Sequence, residues 1–215
     1  MICIIQPYFL PFLGYYQLIN KCDTAVIFDD VKFQKKGYSV KTKYDDKTTI
    51  SLNIENRDKQ DLIYQKKISN EYYFNIQKLK KNILQKKHLF FDQSFFNELF
   101  DLTEDRSYFK LLFRQTKIIL NKLKIKTKII KSSDVADTQN LIKQQKIFLI
   151  CKILNDNNYL NSIGGKKLYN ENEFLKNGVN LNFFNYNPTI IGHFNNNSIL
   201  NLIFNYKIND IIKSL

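Results

Sequence analysis

The chain has 215 residues and a formal net charge of +13, and 44% of its residues are hydrophobic and 14% aromatic. This length and composition exclude a disordered chain and allow one domain with a sizeable buried core. Only three of the 33 basic residues are arginines: Arg57, Arg106 and Arg114. Because arginine leads in bidentate recognition of bases and phosphates, we expect no specific nucleic-acid partner, although a basic surface can attract acidic or phosphorylated molecules.

The first elements predicted along the chain are a strand, a stiff loop and a helix. Residues 1–5 have strand composition, Pro7 ends the strand, and Pro11 suits the first turn of a helix. The loop after the first strand of an open α/β sheet lies at the carboxyl edge, where ligands bind. The alternative is a buried strand with a proline-stiffened turn. The substrate-binding residues predicted here are Gln6, Pro7, Tyr8, Pro11, Gly14, whose backbone a ligand can approach closely, Tyr15 and Gln17.

Two carboxylates, Asp29 and Asp30, follow the second predicted strand, residues 24–28. At the carboxyl edge of a sheet, two neighbouring carboxylates face a likely crevice, and their like charges can raise one pKa toward a value that suits a general base. The alternative is a turn or a helix cap, since Asp is common where strands end. For the pair alone the turn or cap is favoured, and a general base is the functional alternative. His193, beside Gly192, is the other candidate, although the sequence does not fix its partner.

Residues 37–124 are predicted to form an insertion of one β-hairpin and several helices. The hairpin turns at polar residues 45–47, between two segments rich in β-formers. The helices are indicated by apolar residues spaced as on one helix face. The predicted segments are strands at 38–44, 48–54 and, with a looser pattern, 63–68, and helices at 70–87, 93–102 and 106–123.

Strands and helices alternate again after the insertion. This alternation at both ends of the chain predicts an α/β fold with a mostly parallel, Rossmann-like doubly wound sheet. We expect a single domain of residues 1–215, in which the insertion forms a β-hairpin and a helical cap. Asn170 is predicted to cap the helix at 171–176. The other elements are strands at 126–130, 159–162 and 179–184 and helices at 139–155 and 198–214, the last interrupted near Lys207.

The cysteines and the hydropathy bear on cellular location. Three cysteines far apart in sequence suit buried, reduced thiols better than disulfides or a metal site, so no metal is expected. No apolar run reaches the length of about 20 residues that spans a bilayer. The apolar N-terminus also lacks the features of a signal peptide. We therefore expect a cytoplasmic protein without membrane insertion, and its oligomeric state stays open.

Three segments together resemble one protein family. They read QPYFLPFLGYYQLI from Gln6, AVIFDDVKFQKKGY from Ala25 and YLNSIGGKKLY from Tyr159. This pattern resembles the WbqC-like family of bacterial proteins, found with genes for O-antigen, capsule and other surface-glycan synthesis. The resemblance implies an N-acyltransferase that places an aminoacyl, glycyl-type or similar group on the amine of a nucleotide-linked amino sugar. Its donor would be an acyl thioester on a carrier protein or coenzyme A, with no tightly bound cofactor. The alternative is a non-catalytic nucleotide- or sugar-binding accessory protein of the same pathway.

The resemblance implies further site residues. The family pattern has acidic residues at the position of the carboxylate pair, which implies that Asp29 or Asp30 accepts the proton of the attacking amine or holds sugar hydroxyls. It has basic residues at several other positions, and Lys41 and Lys146 stand where arginine is expected. A pair of glycines after a short strand can turn N–H groups toward one anion, although Gly-Gly turns are common. The substrate-binding residues added in this way are Lys35, Lys41, Lys146, Gly164, Gly165 and Tyr169.

Overall fold

The computed structural model describes residues 1–55, 61–86, 88–138, 140–141, 144–190 and 192–215. Its elements follow the chain in the alternating order expected of an α/β protein. The strands are β1 (Ile2–Ile5), β2 (Thr24–Ile27), β3 (Lys41–Lys43), β4 (Thr49–Ser51), β5 (Lys128–Lys131), β6 (Asn158–Ser162), β7 (Asn180–Phe184), β8 (Thr189–Ile190) and β9 (His193–Phe194), and the helices are α1 (Leu13–Asn20), α2 (Tyr72–Leu84), α3 (Gln93–Phe100), α4 (Tyr108–Lys122), α5 (Gln145–Ile153), α6 (Glu171–Lys176), α7 (Ile199–Asn205) and α8 (Ile208–Lys213).

A five-stranded, all-parallel sheet forms the centre of the fold, in the order β5-β2-β1-β6-β7. The chain starts in the middle, moves to one edge and then returns to build the other, so the strand order reverses between β1 and β6. This reversal is the topological switch point of a Rossmann-like sheet, and ligands of such sheets bind in the crevice beside it. The predicted mostly parallel sheet is confirmed.

The strand registers bring three chain segments together at the carboxyl edge. Ile5 pairs with Ile27 and Ile27 with Lys131, so β1, β2 and β5 end at the same level. The residues after these strands therefore leave the sheet side by side. Asp29 and Asp30 follow β2 and Ser132 follows β5, which sets up the contacts of the candidate site.

Helices cover both faces of the sheet. Side chains of successive strand residues point to opposite faces. Ile4 and Val26 accordingly belong to a buried cluster that includes residues of α5 and α6. Cys3 and Ala25 belong to a second cluster that includes residues of α1 and α7. The sheet is therefore doubly wound, as predicted.

The inserted segment supplies a hairpin and a helical cap. β3 and β4 pair antiparallel, with Lys41 opposite Ser51. Leu99 of α3 and Leu112 of α4 are fully buried and lie in the same hydrophobic cluster as Cys3 of the sheet. The cap thus packs on one face of the sheet, above the strand ends that the candidate site uses.

Several predicted boundaries need correction. The strand predicted at 63–68 is wrong: residues 63–65 form a 3₁₀ turn, and the extended residues after it make only isolated bridges. Pro11 precedes α1, whose N-cap is Phe12, and does not lie in its first turn. The helix predicted at 139–155 begins only at Gln145, and residues 139, 142 and 143 lie outside the described residues. A further short hairpin of β8 and β9 was not predicted.

Two local predictions in the C-terminal half are confirmed. The Asn170 side chain accepts a hydrogen bond from the Asn172 N–H at 3.0 Å and caps α6. The helical tail breaks at Lys207, between α7 and α8. Among the described residues, no helix is both long enough and apolar enough to cross a bilayer.

Candidate functional site

Asp29 is held at the carboxyl edge by two serines that follow β5. Its side chain is almost fully buried, with 3% of its surface exposed. The Ser132 hydroxyl lies 2.9 Å from Asp29 Oδ1, and the Ser133 N–H donates to the same oxygen at 2.9 Å. The Ser133 hydroxyl donates to Asp29 Oδ2 at 2.6 Å. No cation pairs with Asp29 among the described residues, so hydrogen bonds alone fix this carboxylate.

Asp30 lies beside Asp29 and contacts a buried cation. Ser132 is also hydrogen bonded to Asp30 Oδ1, and the Thr138 hydroxyl donates to Oδ2. Lys146 Nζ lies 4.0 Å from Asp30 Oδ2 and donates to the Asp30 carbonyl at 3.2 Å and to Thr138 Oγ1 at 3.1 Å. Only 9% of Lys146 is exposed. The lysine predicted as a substrate contact thus has protein partners, and its substrate contact stays a prediction.

Ser132 connects the two carboxylates through one hydroxyl group. Its Oγ accepts from the Asp29 N–H at 3.1 Å and lies within hydrogen-bond distance of Oδ1 of both Asp29 and Asp30. A hydroxyl carries a single hydrogen and can donate to only one of two acceptors at a time. One hydroxyl group therefore lies between the two carboxyl groups.

A cavity of about 630 Å³ opens beside this carboxylate pair, between the sheet edge and the cap. Its wall combines two carboxylates, aromatic rings and cations. Aromatic and aliphatic surface with a few converging charged groups is typical of a small-molecule site. The lining residues are Asp29, Asp30, Tyr64, Ser107, Phe109, Lys110, Phe113, Arg114, Lys117, Lys131 and Ser133.

The opening loop lies at the switch point, as predicted. Several of its polar groups, however, are hydrogen bonded to other groups of the protein. The rings of Phe12 and Tyr186 occupy the space beside Gly14 that a ligand was expected to use. The Tyr15 hydroxyl donates to the Gln6 carbonyl at 3.1 Å. Burial raises the pKa of Tyr15 well above its ordinary value, so the phenol stays neutral.

The remaining loop residues differ in exposure. Pro7 and Pro11 are buried, and Tyr8 is half-buried. The Tyr8 ring centroid lies 5.7 Å from that of Tyr38, and burial raises the pKa of Tyr8, so its hydroxyl remains a neutral donor. Binding of substrate by Gln6, Pro7, Tyr8, Pro11, Gly14, Tyr15 and Gln17 stays a prediction.

Gln17 joins the first helix to the C-terminal segment. Its Nε2 donates to the carbonyls of Asn187 at 2.6 Å and Ser214 at 2.5 Å, and its Oε1 accepts from the Asn187 N–H at 3.1 Å. We expect Gln17→Ala to lower the free energy of unfolding by about 1–3 kcal/mol, because these buried groups lose their partner. Denaturant unfolding measures this loss. The exposed Gln34→Ala is the matched control, and an equal effect of both substitutions would contradict the anchoring role.

The residues implied by family resemblance are dispersed. Lys35 and Lys41 are exposed on the segment after β2. Gly164 is exposed, whereas Gly165 is buried against the Asn161 side chain, where a Cβ would not fit. The Tyr169 ring packs on Phe174 with centroids 5.3 Å apart. In the described part of the chain, the cavity wall does not include these residues or the opening loop.

His193 and the three cysteines add little to the chemistry of the site. The His193 backbone belongs to β9, but its side chain lies outside the described residues. Cys3, Cys22 and Cys151 are buried and carry free thiols. A hydrogen bond with Cys22 and burial raise the pKa of Cys3, and burial raises the pKa of Cys151 to about 12. These two thiols are therefore protonated and poorly nucleophilic at neutral pH.

Several residues of the cavity wall were missed by sequence reasoning. The spacing of apolar residues predicted α4 and its buried face, but the cations of this helix were not predicted as site residues. Lys110, Arg114 and Lys117 are four and three positions apart, which places them on one side of a helix. This spacing, together with the scarcity of arginine in the chain, could have indicated these residues from the sequence alone. The other missed residues are Tyr64, Ser107, Phe109, Phe113, Lys131 and Ser133 in the wall and Thr138 behind it.

Fold and cavity together define an α/β protein with an open, doubly wound parallel sheet and a charged cavity at its carboxyl edge. The family model of the WbqC-like protein family matches residues 6–213. The chain belongs to this family, and membership suggests a role in polysaccharide biosynthesis. The chain matches no curated protein and no solved structure at a significant level of similarity.

Proposed function

We propose that the protein is an N-acyltransferase of surface-polysaccharide biosynthesis, acting on the amine of a nucleotide-linked amino sugar. One observation supports this most directly: Asp29 and Asp30 line the same cavity as a set of cations. The cations can hold the phosphates of the acceptor while a carboxylate receives the proton of its amine. Family membership supports the pathway. The acyl donor in this proposal is a thioester of a carrier protein or coenzyme A.

The chemistry requires one proton acceptor and no change of oxidation state. The amine nitrogen attacks the thioester carbonyl carbon, the new C–N bond forms and the C–S bond breaks. The proton released from nitrogen moves to a carboxylate of the pair and then to the departing thiolate, which leaves as a thiol. Ser132 lies between Asp29 and Asp30 and can pass a proton from one to the other.

A transfer assay tests the proposal. The purified chain is incubated with a panel of nucleotide-linked amino sugars and acyl thioesters of coenzyme A or a carrier protein, and products are detected by mass and by free thiol. We expect one acylated sugar for each thiol released. The same sugars with a hydroxyl in place of the amine are the control and should give no product. Tight binding without product across the panel would instead support the accessory binding protein.

A further inference from the structure

The helix α4 presents a row of cations to the cavity. We call Lys110, Arg114 and Lys117 the α4 cation row, and Lys131 at the end of β5 adds a fourth positive charge to the wall. Residues four and three positions apart lie on one side of a helix. The wall therefore has four cations and two carboxylates, which gives it an excess of positive charge.

Neighbouring carboxylates neutralise only part of this positive charge. Lys110 Nζ pairs with Asp105 at 2.5 Å and Lys131 Nζ with Asp134 at 3.1 Å, and both pairs are substantially exposed and weakened by solvent. Lys117 Nζ lies over the Phe113 ring at 4.6 Å. Among the described residues no carboxylate pairs with Lys117.

Arg114 has the most informative contacts in the row. Its Nη1 donates to Asp101 Oδ2 at 2.9 Å. Its Nε and Nη2 are buried and have no hydrogen-bond partner among the described residues. A guanidinium stays charged at any physiological pH, so two buried donors without an acceptor destabilise the protein unless a ligand supplies one.

The free edge of Arg114 has a defined geometry. Nε and Nη2 lie on the same side of the planar guanidinium, and their two N–H groups point in parallel. Oxygens of a phosphate or carboxylate match this spacing and accept both hydrogens. The oxygens of Asp29 across the cavity are bound by Ser132 and Ser133. The described protein groups do not supply the acceptor, which therefore comes from water or from a ligand that displaces the side chains covering these two atoms.

We propose that Arg114, with Lys117 and Lys110, binds the diphosphate of a nucleoside-diphosphate ligand. This deepens the proposed function, on which the identity of the ligand rests, by placing the phosphates on α4 and away from the opening loop and the Gly164–Gly165 turn. Phe113 and Tyr64 give the same cavity flat apolar surface for the rest of the ligand. A nucleotide-linked sugar and coenzyme A both contain a nucleoside diphosphate, and either source fits this chemistry.

Titration calorimetry with four probes tests the assignment: inorganic pyrophosphate, uridine diphosphate, thymidine diphosphate and coenzyme A. Arg114→Lys keeps the charge but removes the parallel donors, and we expect it to weaken diphosphate binding by about tenfold or more. Lys117→Gln, at an exposed position that does not endanger folding, is expected to weaken binding by several-fold and to reduce its salt dependence. Lys122→Gln removes a charge on α4 outside the cavity and should leave affinity unchanged.

The outcomes separate this inference from the proposed function. Stronger binding of the uridine or thymidine probe than of coenzyme A assigns the subsite to the sugar acceptor, and the reverse assigns it to the donor. Binding that depends on Arg114 without any acyl transfer would retain the subsite and reject the transferase. Unchanged affinity in both Arg114→Lys and Lys117→Gln, or no binding of any probe at millimolar concentration, would overturn the inference.

Discussion

Replacing the base of the carboxylate pair with asparagine is expected to reduce the turnover of acyl transfer by about 100-fold or more. Asparagine keeps the size and much of the hydrogen bonding of Asp29 or Asp30 but cannot accept the proton of the amine. Binding of the nucleotide-linked sugar should change little. The residual rate should rise with pH, because more of the acceptor is then present as free amine. Steady-state kinetics and calorimetry on Asp29→Asn and Asp30→Asn measure both effects.

The stability of the two variants separates catalysis from folding. Asp30→Asn removes the carboxylate 4.0 Å from the buried ammonium of Lys146, so we expect it to lower the melting temperature more than Asp29→Asn. Ser133→Ala is the matched control, since it removes a hydrogen bond to Asp29 but keeps the carboxylate. Near-normal turnover in both Asn variants, together with loss of turnover in His193→Ala, would assign the base to the histidine.

Valine at position 14 is expected to lower the free energy of unfolding by about 1–3 kcal/mol or more. A Cβ on Gly14 would lie 2.6 Å from the Tyr186 ring and closer still to the Phe12 ring. Real Cβ atoms do not approach so closely, so the rings or α1 must move. Denaturant unfolding measures the loss.

The matched control for this prediction is Gly164→Val. A Cβ at position 164 has open space, with Ser162 Oγ as the nearest atom at 3.9 Å. The change at this exposed position should stay within about 0.5 kcal/mol. Equal stability of the two variants would show that the Phe12 and Tyr186 rings can leave Gly14 without cost.

The sequence predicted best those elements whose local residue pattern matches the place that they take in the folded protein. Residues 25–27 of β2 are a buried apolar run, and the Asn170 cap is a local hydrogen bond that needs no distant partner. The prediction of a strand at 63–68 was wrong because extended residues form a sheet strand only when they pair continuously with a neighbouring strand. Its bridges, Ile54 with Ile68 and Lys67 with Ser107, join single residues of different loops. Such isolated pairing depends on how the cap packs, and it produces no periodic pattern of apolar residues in the sequence.

Only a small part of the candidate site could be predicted from the sequence. Asp29 and Asp30 were found because a strand end at the carboxyl edge is a position with chemical meaning. Arg114 and Thr138 were missed, because their distances to the sheet edge follow from how α4 and the segment after β5 fold back. Gly14 and Gln17 have structural contacts that their residue types did not indicate, and their substrate contacts stay predictions. Their residue types suit a ligand site, yet Gly14 is packed by rings and Gln17 holds the C-terminal segment.

The insertion between β2 and β5 has a consequence for folding kinetics. These strands are neighbours in the sheet, yet residues 28–127 separate them, and the Gln17 contact with Ser214 spans 197 positions. Pairing of distant segments must overcome loop-closure entropy before it stabilises the chain, and high contact order slows folding. The helices of the cap form from local contacts and shorten the loop that β5 must close. Refolding should therefore be slower than the helix content alone indicates, with the cap structured before the sheet is complete.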